Sequence, residues 1–227
     1  VGECHENDGV HRTSGRIYRI TYGKQKPKER NLAENSSEEL AKFLQSPNKK
    51  IVRHSARLLQ ERASNPGINA KTIDSLRKTK DRGKPEARLQ ALWALHRTEN
   101  LKESELSEML NDKDEHIRIW AMKLLVDGGK ASEFASKAIM ERAASEKSAL
   151  VRLHFASVLR NLSEADRWKL VKTLSTSEDL RDDPVFPLMV WYGIEELVKA
   201  EPARSLELAK TSKLKTLTEW IPRRMAE

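Results

Sequence analysis

The sequence has very little of what builds disulfides, cysteine-based metal sites, large sheets or membrane spans. A single cysteine among 227 residues excludes an internal disulfide and any zinc site made from several cysteines. Aromatic residues at 5% and only nine glycines, with few β-branched runs, disfavour a large β-sheet protein. No run of about 18 apolar residues occurs, so we predict no membrane span.

Charge is abundant but mixed. Forty-two lysines and arginines face 34 aspartates and glutamates, which gives a net charge of +8. This balance permits an acidic partner, nucleic acid included, without requiring one. The opening residues show neither a basic nor an apolar signal region, so we predict no signal peptide, and valine at position 1 suggests a piece of a longer protein.

The chain divides into three predicted segments. An isoleucine- and tyrosine-rich run over 16–23 favours one β-strand, which would need partners from outside the chain. We therefore assign 1–23 to the last strand of a preceding domain and 24–36, which is charged, to a linker. The remainder, 37–227, shows helical periodicity throughout.

The helical segments come in pairs and carry recognisable start signals. The apolar segment near the C-terminus has Pro187 in its first turns, so its helix either starts there or is kinked. The other predicted starts are Ser37, Asn69, Pro85, Asp112 or Asp114, and Ser163.

The second helices of the first four pairs share a pattern, in which a hydrophobic residue and an arginine precede a small or apolar residue three positions later. The arginines lie 35, 30 and 34 residues apart, and they are Arg53, Arg88, Arg118 and Arg152. In the fifth pair the equivalent position is near Leu188. This period predicts an all-α fold, a right-handed α-solenoid of about five to six helix pairs with a short N-terminal extended segment.

The repeat pattern resembles HEAT repeats, and both ends of the chain resemble a more specific family. The opening GECHENDGVHRTSGRIYRITYG and the later segments DPVFPLMVWYGIEELV and IPRRMAE are similar to exported membrane-bound dehydrogenases of planctomycetes and verrucomicrobia with haem-binding CxxCH tails. Their order is a sorbosone- or glucose-dehydrogenase-like β-propeller, a HEAT-repeat region and a cytochrome c domain.

The resemblance implies that 1–23 closes the propeller and that 37–227 is the helical middle region. It also implies a periplasmic or otherwise exported location, with the flanking propeller and cytochrome c domains as partners. Covalent haem needs Cys-x-x-Cys-His, and this chain offers only Cys4-His5. We therefore expect no cofactor in this chain, with haem c confined to a downstream domain.

Five tryptophans are scattered through the helix pairs, and most are expected to fill the core. A subset could instead form an aromatic groove for a partner, and Trp120, Trp191 and Tyr192 are the candidates. Gly193 costs about 1 kcal/mol relative to alanine inside a helix. Its position beside Tyr192 therefore suggests a close helix approach or a contact with another domain.

The repeated arginines, Arg118 and Arg152 among them, allow two interpretations. They could bind phosphates or another partner on a basic surface. The favoured interpretation is that they pair with acids or helix C-terminal carbonyls of the neighbouring repeat.

A polar cluster near the N-terminus could hold a transition metal, although flexible loops often contain such residues and the spacing fits no strong motif. Its members are Cys4, His5, Asp8 and His11.

Catalysis has no support in the sequence. The helical histidines have no serine, aspartate or cysteine partner at a suitable spacing, and no nucleotide-binding, metalloprotease or hydrolase motif occurs. We therefore expect a non-catalytic helical-repeat scaffold that positions the flanking redox domains of a larger exported protein. The alternative is a basic HEAT-repeat protein that binds nucleic acid and resembles the alkylpurine DNA glycosylases.

Overall fold

The computed structural model describes residues 20, 22–23, 31–64 and 67–227. Over these residues the structure is helical, and the helical unit spans Leu32–Glu227. The predicted strand over 16–23 and the candidate metal cluster around Cys4 fall wholly or largely outside the described residues.

Twelve α-helices are described. Their bounds are α1 Ser37–Phe43, α2 Lys49–Ser64, α3 Ala70–Arg82, α4 Pro85–Arg97, α5 Glu103–Met109, α6 Glu115–Leu125, α7 Glu133–Ala143, α8 Ala149–Ser157, α9 Glu164–Leu174, α10 Phe186–Ile194, α11 Pro202–Thr211 and α12 Lys215–Ala226. Short 3₁₀ turns occur at Leu32–Glu34, Leu159–Asn161, Glu178–Leu180 and Glu195–Leu197.

The helices pack as neighbouring pairs in two layers. Helix α1 packs on α2, α3 on α4, and so on to α11 on α12. Each even-numbered helix also contacts the next even-numbered helix, from α2 through α12, while α1 contacts α3, and α7 contacts both α5 and α9. One helix pair leaves an apolar face that the next pair covers. The predicted α-solenoid is therefore confirmed, with six helix pairs.

The first helix starts one residue earlier than its predicted cap. Ser36, not Ser37, is the N-cap, and its hydroxyl accepts a hydrogen bond from the Glu39 amide at 3.2 Å. The Glu39 carboxylate in turn accepts from the Ser36 amide at 2.8 Å. This reciprocal capping box satisfies two otherwise unpaired amides, which is why the first of the two serines is selected.

The other predicted helix starts are confirmed. Asp114 rather than Asp112 caps α6, because its carboxylate accepts from the His116 amide at 2.9 Å. The remaining start residues are Asn69 and Ser163 as side-chain caps, with Pro85 and Pro187 in the first turns of α4 and α10.

The apolar core runs along the stack in two clusters that meet at α4. Leu92 belongs to the larger cluster, which extends to α12, while Ala91 and Leu95 belong to the N-terminal one. Leu32, inside the segment predicted as a linker, is only 3% exposed and joins the N-terminal cluster. The helical unit therefore begins at Leu32, before the predicted boundary.

Gly193 lets α10 lie directly against the turn that follows α8. A Cβ built at Gly193 would stand 2.4 Å from Leu159 Cδ1 and 2.7 Å from Leu159 Cβ. Leu159 is itself fully buried, so it has little space into which to move. The close helix approach predicted for Gly193 is confirmed.

Gly193→Ala should therefore lower the free energy of unfolding by about 1–2 kcal/mol, because the overpacking outweighs the gain in helix propensity. Urea unfolding followed by circular dichroism measures the change. Gly128→Ala is the matched control, since nothing lies within 4 Å of a Cβ at Gly128. Equal stability of the two variants would contradict the close approach.

Candidate functional site

The most regular polar feature of the helical unit is a series of ion pairs between consecutive repeats, which we call the inter-repeat clasps. Each clasp joins an arginine of an even-numbered helix to a carboxylate in the turn of the next helix pair. The three clasps are Arg88–Asp112, Arg118–Glu146 and Arg152–Asp179.

The central clasp is the most deeply buried. Arg118 Nε donates to Glu146 Oε2 at 2.8 Å, and Arg118 Nη2 donates to Glu146 Oε1 at 3.0 Å. The two side chains are only 10% and 1% exposed. Arg142 also donates to Glu146, at 2.7 Å. Such two-point pairing fixes the relative orientation of both groups as well as their distance.

The two outer clasps also have two contacts each, but they use both terminal nitrogens of the guanidinium, whereas Arg118 uses Nε and one terminal nitrogen. Arg88 Nη1 donates to Asp112 Oδ1 at 3.1 Å, and Arg88 Nη2 donates to Asp112 Oδ2. Arg152 binds Asp179 in the same way, with one contact of 2.9 Å. Both arginine side chains are largely buried, whereas the Asp179 carboxylate is exposed.

The turn carboxylates of the first two clasps also shape their own turns. Asp112 Oδ1 accepts from the Asp114 amide at 2.9 Å, and Glu146 Oε1 accepts from the Ser148 amide at 2.8 Å. Arg118 further donates to the Asp112 carbonyl oxygen at 2.8 Å. Asp112 is thus bound by Arg88 of the preceding helix pair and by Arg118 of its own pair, and Arg118 in turn reaches Glu146 of the following pair.

The clasps keep their carboxylates ionised. Burial raises the pKa of Glu146, but the hydrogen bonds from Arg118 and the Ser148 amide lower it more, so it lies below its ordinary value. Burial also raises the pKa of Asp112, but the hydrogen bonds from Arg88 and the Asp114 amide lower it more, so this pKa too lies below its ordinary value. The pKa of Asp179 is lowered chiefly by the hydrogen bond from Arg152.

Arg53 occupies the same place in the repeat but has no clasp. The residues before α4 are Arg82, Gly83 and Lys84, so this turn supplies no carboxylate. Arg53 is exposed and forms no ion pair or hydrogen bond within the described part of the chain. Pairing with a neighbouring acid therefore holds for three of the four repeated arginines.

The predicted aromatic residues are not brought together into one groove. Trp191 is 5% exposed and packs edge-to-face on Trp220, with ring centroids 5.6 Å apart. Tyr192 is half-exposed. Trp120 packs edge-to-face on Trp93 at 4.8 Å. Trp191 thus belongs to the core, and only Tyr192 and part of Trp120 reach the surface.

A basic groove between α2 and α4 was not anticipated from the sequence. We call it the α2–α4 groove, and its volume is about 930 Å³. The cations that line it are Lys49, Arg53, Arg57 and Arg97. The sequence signal that could have revealed it is the missing acid before α4, which leaves Arg53 without a clasp.

The described residues contain neither a metal-binding cluster nor a membrane-spanning helix. Across 31–64 and 67–227, with residues 20, 22 and 23, no group of three or more His, Cys, Asp or Glu side chains could hold a metal ion. Within the same part of the chain, no helix is long and apolar enough to cross a membrane.

Comparisons with known proteins add no relatives to this picture. No protein-family model, curated protein or solved structure matches the chain.

Replacing Glu146 should alter stability in a pH-dependent way. Its pKa is lowered below 4.5 in the folded protein, so the ionised carboxylate contributes stability above that pH, and the contribution is lost as pH falls through the folded pKa. Glu146→Gln should lower the free energy of unfolding by about 2 kcal/mol at pH 6. The difference in the free energy of unfolding between the parent and Glu146→Gln should become smaller at pH 3.

Urea unfolding at the two pH values tests this expectation. Glu61→Gln is the control, because Glu61 forms only an exposed pair with Arg57 and should change stability little at pH 6. A gap between parent and Glu146→Gln that is equally large at pH 3 would show that the charge of Glu146 is not what matters.

Proposed function

We propose that this chain is a non-catalytic helical-repeat scaffold that holds other domains or proteins at a fixed separation. The observation that supports this proposal best is the series of inter-repeat clasps. Three arginines at equivalent positions each bind a carboxylate of the next repeat through two contacts. Side chains used in this way fix the register between repeats and are not presented to a substrate.

A fixed register matters because a solenoid is nearly one-dimensional. Each helix pair contacts its neighbours only, so small rotations at each junction add up along the stack. A two-point arginine–carboxylate pair resists such rotation more than apolar packing alone, which is non-directional. A spacer of this kind would hold what is attached at its two ends within a narrow range of distances.

The family resemblance indicates which domains would be attached. In the dehydrogenases that the chain resembles, a propeller precedes the helical unit and a cytochrome c domain follows it, in an exported protein. The helical unit would then set the distance between the electron donor and the haem. Haem attachment itself does not fit this chain, because one cysteine cannot form both thioether bonds.

The repeated arginines argue against the alternative function, nucleic-acid binding. It relies on the four repeated arginines as phosphate ligands, yet Arg88, Arg118 and Arg152 each bind a carboxylate of the next repeat. Arg118 is 8% exposed, so a phosphate would have to displace Glu146 and leave it buried without its partner, which is costly.

Stiffness can be measured between two spin labels. In a Cys4→Ser background, labels at Lys78→Cys on α3 and Lys210→Cys on α11 occupy exposed positions near opposite ends of the stack. Double electron–electron resonance should give one narrow distance distribution. Adding Arg118→Ala and Glu146→Ala should broaden it, because the central clasp is lost while the helices remain.

A broad distribution in the parent protein would contradict the proposal, and so would an unchanged distribution in the clasp variant. Circular dichroism of both proteins confirms that the helices are retained. The sequences that flank this chain in its gene test the domain context: an upstream export signal with a propeller and a downstream CxxCH motif are expected. Other flanking domains would remove the redox part of the proposal.

A further inference from the structure

We propose that the α2–α4 groove binds an acidic segment of a protein partner. The inference rests on the scaffold function and specifies the chemistry of one partner. The groove joins the first two helix pairs, and its cations come from both α2 and α4. Unlike the clasped arginines, three of these four cations have no ion pair with any described residue and are available to a ligand.

The free charge has a structural origin in the repeat. Arg88, Arg118 and Arg152 each receive a carboxylate from the turn before the next even-numbered helix. Arg53 stands at the equivalent position of α2, where the corresponding turn ends in Gly83 and Lys84. A carboxylate supplied by a partner would therefore find at Arg53 the same kind of guanidinium that binds carboxylates in the three following repeats.

The neighbouring cations strengthen the preference for an acidic ligand. Lys49 and Arg97 line the groove with Arg53, and none of the three has an ion pair with any residue that the structure describes. Arg57 is also present, with Glu61 at 3.2 Å as its partner. Three unneutralised cations along one groove produce a local positive potential that attracts acidic segments and raises their association rate.

The groove also offers neutral polar groups. Gln60 and Gln90 line it and can bind backbone groups of an extended peptide. The indole N–H of Trp93, another lining residue, is buried and has no acceptor among the described residues.

The aromatic geometry favours a peptide over nucleic acid. Single-stranded nucleic acid needs open aromatic faces on which bases stack. Trp93 is packed edge-to-face on Trp120, and Lys123 Nζ lies over the Trp120 ring at 5.1 Å from its centroid. These two rings are therefore already engaged.

The positions of the cations also favour a peptide over nucleic acid. A nucleic-acid backbone would require cations that continue along the stack. Helix α8 contributes only Arg152, which is clasped, and α10 carries no lysine or arginine. Along the layer of even-numbered helices, the described cations without an ion pair lie mainly on α2 and α4, with Lys123 on α6, and this local grouping suits a short acidic segment.

Fluorescence anisotropy with a fluorescein-labelled (Glu-Gly)₆ peptide tests the proposal on the full chain. Arg53→Glu with Arg97→Glu should weaken binding about tenfold or more, because two attractive contacts are lost and become repulsive. Lys78→Glu with Lys210→Glu is the matched control, since it changes the net charge equally at exposed positions of α3 and α11. The control should bind within about twofold of the parent.

Each outcome bears on the proposal. Binding of the peptide that is weakened equally by both double variants would show that only net charge matters and would overturn the groove. A 12-nucleotide oligothymidine that displaces the peptide at a lower concentration than unlabelled peptide would identify nucleic acid as the better ligand. No binding of the peptide at low salt would also overturn the proposal.

Failure here can be distinguished from failure of the scaffold function. Neither Arg53 nor Arg97 belongs to a clasp, so the spin-label distances should be unchanged in their double variant. A narrow distance distribution without peptide binding would reject the groove alone. A broad distribution would count against the scaffold, whatever the peptide does.

Discussion

The relative orientation of the central helix pairs depends on one recurring interaction, an arginine of one repeat bound at two points by a carboxylate in the turn of the next. Apolar burial drives the helices together, but it does not by itself choose the rotation between neighbouring pairs. Burying Arg118 and Glu146 costs desolvation, and a well-packed apolar substitute could be equally stable. What the charged pair adds is direction, because its two hydrogen bonds hold only one relative placement of the two repeats.

Both ends of the clasp series are set by single sequence changes. At the N-terminal end, Arg53 meets a turn without an acid, and its charge remains free in the α2–α4 groove. At the C-terminal end, Leu188 takes the place of the arginine. There Trp168 Nε1 of α9 donates to Glu201, just before α11, at 2.7 Å, so the junction with the sixth helix pair is held from the other layer. The same repeat thus yields a cohesive middle and a basic surface near its start.

The pair architecture followed from the sequence because period, caps and apolar stripes are local signals. The carboxylate partners did not, because they lie 24, 28 and 27 residues beyond their arginines in turns of different length. The burial of Trp191 does not follow from the sequence, because α10 is apolar on nearly every side and periodicity therefore does not show which face is buried. The α2–α4 groove is basic because the turn before α4 lacks a carboxylate. A motif search finds residues that are present, so it does not report this absence.

A double-mutant cycle at Arg118 and Glu146 tests the central role of the clasps most directly. The free energies of unfolding of the parent, Arg118→Ala, Glu146→Ala and the double variant give the coupling between the two side chains. The exposed pair of Arg57 and Glu61 provides the reference cycle. We expect a coupling of about 2 kcal/mol or more for the clasp and below about 0.5 kcal/mol for the reference. Equal couplings for the two pairs would contradict the account.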